Sequence, residues 1–193
     1  TFAAIAQQCM GLTELTVDDK PHIYSSLHHG TPLSARIGAI KSLSALTRLT
    51  RLDFMPHDNA ELAVLVDVAA GLLPLGLKRL GVLLLDIPSV WCANTAALMD
   101  LAKLQGLPKL RLEVGSHWIV GGLREQADNL LMALSGIACV EMYIPGETDA
   151  QILEAAQARL LNLGLPCPRD IAFGIGMADG FVLQKSEFDK FVT

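Results

Sequence analysis

A leucine-led hexapeptide returns about every 30 residues, and this period restricts the fold more than any other feature of the chain. The copies are Leu12–Val17, Leu49–Phe54, Leu77–Val82, Leu107–Leu112 and Ile137–Met142. Their fourth residues are Leu15, Leu52, Leu80, Leu110 and Val140, so the steps are 37, 28, 30 and 30 residues. A fixed period in this range means a solenoid, in which each unit buries its apolar face against its neighbours. Ile171-Ala172-Phe173 lies a further 31 residues on and is expected to be a sixth strand.

The composition suits such a stack. Leucine fills 34 of 193 positions and aromatics only 5%, so the core is expected to be layered aliphatic side chains. With 51% hydrophobic and 18% charged residues, the chain can bury a large core and is not expected to be disordered. The net charge of −5 lacks the basic footprint that nucleic-acid binding needs, so no nucleic-acid partner is expected. Cys9, Cys92, Cys139 and Cys167 lie far apart with no CxxC pair, which gives neither a disulfide framework nor a zinc pattern. Reduced thiols point to an intracellular, reducing compartment. The most apolar stretch, Ala60 to Ile87, is broken by Asp67, Lys78, Arg79 and Asp86, so no membrane span is expected. The sequence opens on Thr1, with Phe2 to Gln8 already patterned as a helix; we expect it to be a fragment of a longer chain.

Each unit reads as a helix, a short link and a strand. Ile40, Leu43 and Leu46 give helical spacing within Gly38–Leu46. The next helix is Ala60–Leu73, with Leu62, Leu65, Val66, Ala69 and Leu73 on one stripe. Asn94 is expected to cap a third that carries Leu98, Leu101 and Leu104. The fourth is Leu123–Leu134. The fifth is expected to follow Thr148 and Asp149 as caps and to stop at Gly164, with Pro166 beyond. In Leu107–Val114, Leu110, Leu112 and Val114 alternate with Lys109, Arg111 and Glu113, as a half-buried strand requires. The segment 177–193 is expected to cap the end of the stack, within a single domain spanning 1–193.

The LxxLxL copies resemble those of leucine-rich-repeat proteins of the ribonuclease-inhibitor-like type, with irregular repeats of about 28–31 residues. The resemblance covers about Phe2 to Phe173. It implies an α/β solenoid of five to six repeats, with a curved parallel sheet on the concave side and helices on the convex side. It also implies binding of a protein partner through a rigid concave face. The chain departs from the family where Asn or Cys usually follows the strand: Lys20, His57, Leu85, Gly115 and Pro145 stand there. The turns after the strands must therefore be built differently.

Aligning the copies puts outward side chains in columns about 4.8 Å apart from strand to strand. The first is Glu14, Arg51, Arg79, Lys109, Cys139, and the second Thr16, Asp53, Gly81, Arg111, Glu141. The third is Asp18, Met55, Leu83, Glu113, Tyr143. Arg51, Arg79 and Lys109 form a candidate recognition stripe for an acidic segment of a protein, with Arg111, Glu141 and Tyr143 as further contact positions. Met55, Leu83 and Tyr143 are candidate apolar anchors. The competing reading pairs these cations with Asp53, Glu113 and Glu141 on neighbouring strands. Trp91 and Trp118, in long links, are candidate hot spots or plugs of the core ends.

Other features carry less. His22, His28 and His29 share a polar loop without a fourth ligand at metal spacing, so no metal and no cofactor are expected. Gly174 to Gly180 spells GxGxxxG, one residue too long for a dinucleotide loop, and is expected to be a turn. Ser116-His117-Trp118 lacks the context of a serine nucleophile. Cys139 is outward but not thereby reactive. The expected role is a protein–protein interaction module, an adaptor or scaffold, and not an enzyme. One rival is a structural subunit of a larger complex, held by its helical face and loops. The other is a small α/β enzyme using Asp18, Asp53, Asp86 and His117 at strand ends.

Overall fold

Every strand predicted from the repeat pairs with the next copy in the chain, in parallel and in sequence order. A computed structural model describes residues 4–5, 8–17, 32–56, 58–84, 99–114, 123–144, 146–168, 170–176 and 182–184. The strands are β1 (Glu14–Val17), β2 (Arg51–Phe54), β3 (Arg79–Leu84), β4 (Lys109–Val114), β5 (Cys139–Ile144) and β6 (Asp170–Gly176). A last strand, β7 (Val182–Gln184), joins the edge of β6 in the antiparallel sense. Residues 174–176 therefore extend β6, where the glycines had suggested a turn. The ladder through Glu14, Arg51, Arg79, Lys109, Cys139 and Asp170 is the first column inferred from sequence, continued by one strand. The second column, from Thr16 to Glu141, is also found in register and ends at Ala172.

Helices α1 (Leu33–Ser42), α2 (Asn59–Leu72), α3 (Leu123–Ala133) and α4 (Glu147–Asn162) connect the strands. Parallel neighbours demand such crossovers. Helix α1 starts ahead of the expected Gly38 and tightens into a 3-10 turn at Leu43–Ala45. The third connection ends in a 3-10 turn, Leu101–Leu104; its expected cap, Asn94, lies outside the described residues. Helix α4 begins at Glu147 behind an extended Gly146, two residues before the expected Asp149 cap. Gly164 ends the turn after α4 with φ 66°, and Gly76 ends the one after α2 with φ 115°. In that left-handed region glycine avoids the Cβ clash that other residues meet.

All three apolar positions of LxxLxL point into one core. Leu49, Leu77, Leu107 and Ile137 are buried at the first, Leu52, Leu80, Leu110 and Val140 at the fourth, and Phe54, Val82, Leu112 and Met142 at the sixth. Leu43, Leu62, Leu65, Leu104, Leu131 and Leu153 meet them from the helical side at 0% exposure. One face of the sheet is thus covered by helices. The alternate residues form the other face, which is open among the described residues.

Ion pairs link successive helical segments. Arg36 on α1 pairs with Asp58 at 3.2 Å and with the buried Glu61 of α2. Asp58 is also the N-cap of α2, accepting from the Glu61 N–H at 2.8 Å. Lys103 reaches Asp67 at 2.8 Å, and Arg159 on α4 reaches Asp128 on α3 at 2.5 Å. The last two are largely exposed and contribute little. No helix among the described residues is long and apolar enough to cross a membrane.

Candidate functional site

The open face is organised by one buried carboxylate. Asp53 on β2 is only 7% exposed, although alternation aims it away from the core. Its neighbour across the ladder is Gly81, and the absent side chain there leaves the space that Asp53 fills. A Cβ placed on Gly81 would sit 2.1 Å from Asp53 Oδ1. A glycine inside a strand marks such a close approach. Both Nε and Nη2 of Arg51 meet Asp53 Oδ2 at 2.7 Å, and Thr16 Oγ1 donates to the same oxygen at 3.5 Å. Glu14 lies 3.8 Å from Arg51 on the other side.

This geometry gives a direct prediction. Gly81→Ala forces Asp53 to rotate away from Arg51 and costs about 1–3 kcal/mol, the range for stranding a buried charge-assisted partner. In an Asp53→Ala background the same substitution is expected to cost close to nothing, because the obstacle is gone. Urea denaturation of the four proteins measures the coupling; an equal cost in both backgrounds sinks it.

The other basic residues are also engaged. Lys109 Nζ contacts Glu141 at 2.7 Å across β4 and β5. Arg111 pairs with Glu113 and lays its guanidinium 4.6 Å above the centre of the Tyr143 ring, a cation–π contact. The stripe expected from sequence is therefore mostly neutralised within the sheet. Arg79 differs in the length of its ion pair, reaching Asp53 Oδ1 only at 4.0 Å; both that oxygen and Arg79 Nε are buried without a hydrogen bond, as is Arg111 Nε.

Of the expected contact positions, Arg51, Arg79, Lys109, Arg111, Glu141 and Tyr143 share the open face, each between fully buried and fully exposed. Met55 does not. It follows the last residue of β2, where alternation ceases, and is buried at 4% exposure, so it offers no outward anchor. Cys139 is half-buried on the open face with a free thiol. Burial raises the Cys167 thiol pKa, which keeps that group protonated. Trp91, Trp118, Asp18, Asp86, Ser116, His117, His22, His28 and His29 lie outside the described residues, as does most of 177–193. Among the described residues no group of three or more His, Cys, Asp or Glu side chains is placed to hold a metal ion.

Two couplings were missed from sequence. Gly81 sat in the outward column, and an interior strand glycine was the signal for the Asp53 approach. Asp58 three residues before Glu61 was a capping signature that would have placed the start of α2.

No family model matches the chain, and no curated protein matches its sequence. Among solved structures the chain is similar to the actin-binding site 2 of leiomodin-1, with a TM-score of 0.51 and 11% identity. The match covers 84% of this chain and 88% of that one. At that identity the likeness concerns the fold: a mixed α/β arrangement of successive parallel strands and helices.

Proposed function

We propose that the chain is a short leucine-rich-repeat solenoid that recognises a protein through the open, concave face of its sheet. The observation that carries this reading is the state of that face. Arg51, Asp53, Lys109, Glu141, Arg111, Glu113 and Tyr143 are held by one another before any partner arrives. Side chains already ordered lose less entropy on binding, and Arg and Tyr are favoured at interface hot spots. The similar structure is described as an actin-binding site, which supports protein recognition as a use of this architecture. The role proposed here is binding, as an adaptor or scaffold, and not catalysis.

The test is affinity capture followed by mass spectrometry. The bait proteins are wild type, an Arg111→Ala/Tyr143→Ala variant of the open face, and a Lys103→Ala/Arg159→Ala variant of the helical layer, each checked for folding by circular dichroism. Partners are expected to be lost with the open-face variant and kept with the helical one. The reverse pattern overturns the reading. One observation favours a second reading, a structural subunit seated through the end of its array: Leu161, Leu163 and Leu165 are 59%, 65% and 43% exposed around the end of α4. Loss of partners on Leu161→Ser/Leu163→Ser alone would support it.

A further inference from the structure

Arg51, Arg79 and Lys109 are direct neighbours in register at the middle of the sheet. Like charges so placed repel. The flanking two are compensated, Arg51 by Asp53 at 2.7 Å and Lys109 by Glu141 at 2.7 Å. Arg79 shares Asp53 with Arg51 and receives only the far oxygen, at 4.0 Å. Its side chain is 25% exposed, so the guanidinium is partly removed from water while lacking a close acid. Two nitrogens of Arg51 hold Asp53 Oδ2, while Oδ1, packed against Gly81, is buried without a hydrogen bond and faces Arg79 Nε only at 4.0 Å. Arg111, the remaining cation of this face among the described residues, has Glu113 and the Tyr143 ring.

We infer that Arg79 is the position on the open face that receives an aspartate or glutamate side chain of the protein partner. This inference rests on the open-face reading and sharpens it. Recognition then depends on a single carboxylate at the centre of the sheet, not on an acidic run along the whole stripe. A carboxylate brought to Arg51 or Lys109 would have to compete with the acid already there. One brought to Arg79 completes a pair that the fold leaves open, and guanidinium matches carboxylate geometry.

The experiment uses the full chain to select from a displayed library of random linear peptides. Enriched sequences are synthesised with amidated C-termini, so that only side-chain carboxylates remain. Their affinities are measured by fluorescence anisotropy against wild type, Arg79→Gln, Tyr143→Ala and the helical-layer control Lys103→Ala, each with its thermal midpoint recorded. The peptides are expected to share one acidic residue. Replacing it by the amide, or making Arg79→Gln, weakens binding by about tenfold or more, and doing both adds little further. Lys103→Ala, in the helical layer, changes affinity by less than about twofold. Arg79→Glu is expected to recover a peptide whose acidic residue is changed to lysine. If Tyr143→Ala weakens binding while Arg79→Gln does not, the face binds and the assignment of Arg79 is overturned. If no peptide is enriched, or none responds to Arg79→Gln or Tyr143→Ala, the open-face reading fails with it.

Discussion

Leu80→Ala is expected to lower the unfolding free energy by about 3–4 kcal/mol, the largest loss from any single truncation considered. Leu80 lies at 0% exposure on β3, with Leu52 and Leu110 as its ladder neighbours on either side. Truncating a leucine in such a site removes its transfer free energy and leaves a cavity that rigid neighbours fill poorly; measured costs run from about 2.7 to 5 kcal/mol. The repeat organisation adds a comparison. Leu15 is the same position in β1, but it is half-buried, with β2 on one side only among the described strands. Leu15→Ala is therefore expected to cost well under half as much. Leu75→Ala, at 52% exposure, is expected to stay within about 0.5 kcal/mol of wild type. Guanidinium denaturation with fluorescence or circular dichroism measures all three. Equal losses at Leu15 and Leu80 would mean that burial at these positions is not graded along the array.

The second large effect concerns the joint between α1 and α2. Arg36→Ala takes a guanidinium from Glu61, whose side chain is 2% exposed. Removing one member of a buried ion pair costs up to about 3–5 kcal/mol, since the remaining charge loses that cation in a poorly solvating site. Arg36 keeps 30% exposure, so we expect about 2–3 kcal/mol. Glu61→Gln preserves shape and removes the charge, and is expected to cost less than Arg36→Ala. The double variant is expected to cost less than the sum of the two, which a double-mutant cycle by urea denaturation reads directly. Additive losses would show that the two groups do not act on one another. The pair gives no stability change near neutral pH through Arg36. Its hydrogen bond with Glu61 raises an already high pKa, so its contribution is fully present below the unfolded value and is lost only in strong alkali.

How legible all this was in the sequence depends on what sets each feature. The strand faces and the register follow from alternation and from one motif repeated in step, and both first columns were readable residue by residue. The third column failed at Met55, because alternation holds only while the strand lasts and β2 stops at Phe54. Helix starts were less readable than helix stops. Gly164 has a backbone conformation that announces itself, whereas the starts of α1 and α4 rest on Pro32 and Gly146, neither of which makes a side-chain cap. The site was legible only as a set of positions. Whether Arg51, Arg79 and Lys109 form a bare stripe or a paired lattice depends on rotamers and on a cavity one residue deep beside Gly81. No count of charges reveals that Asp53 serves one arginine at 2.7 Å and its neighbour at 4.0 Å. The Arg36–Glu61 pair joins residues 25 apart in the chain through the packing of two helices, which lies beyond any local pattern.

At β7 the sheet changes direction. Six of the described strands run the same way, so each meets the next with an unchanged hydrogen-bond pattern. Beside β7 that rule ends. Over Val182–Gln184 the donors and acceptors meet β6 with the alternating spacing of an antiparallel pair instead of the even spacing of a parallel one. Strand polarity thus writes a change of phrase into the backbone: parallel iteration gives way there to antiparallel pairing, whatever side chains the strands carry. It also gives the two flanks of the sheet different grammars, since β1 still presents the common direction.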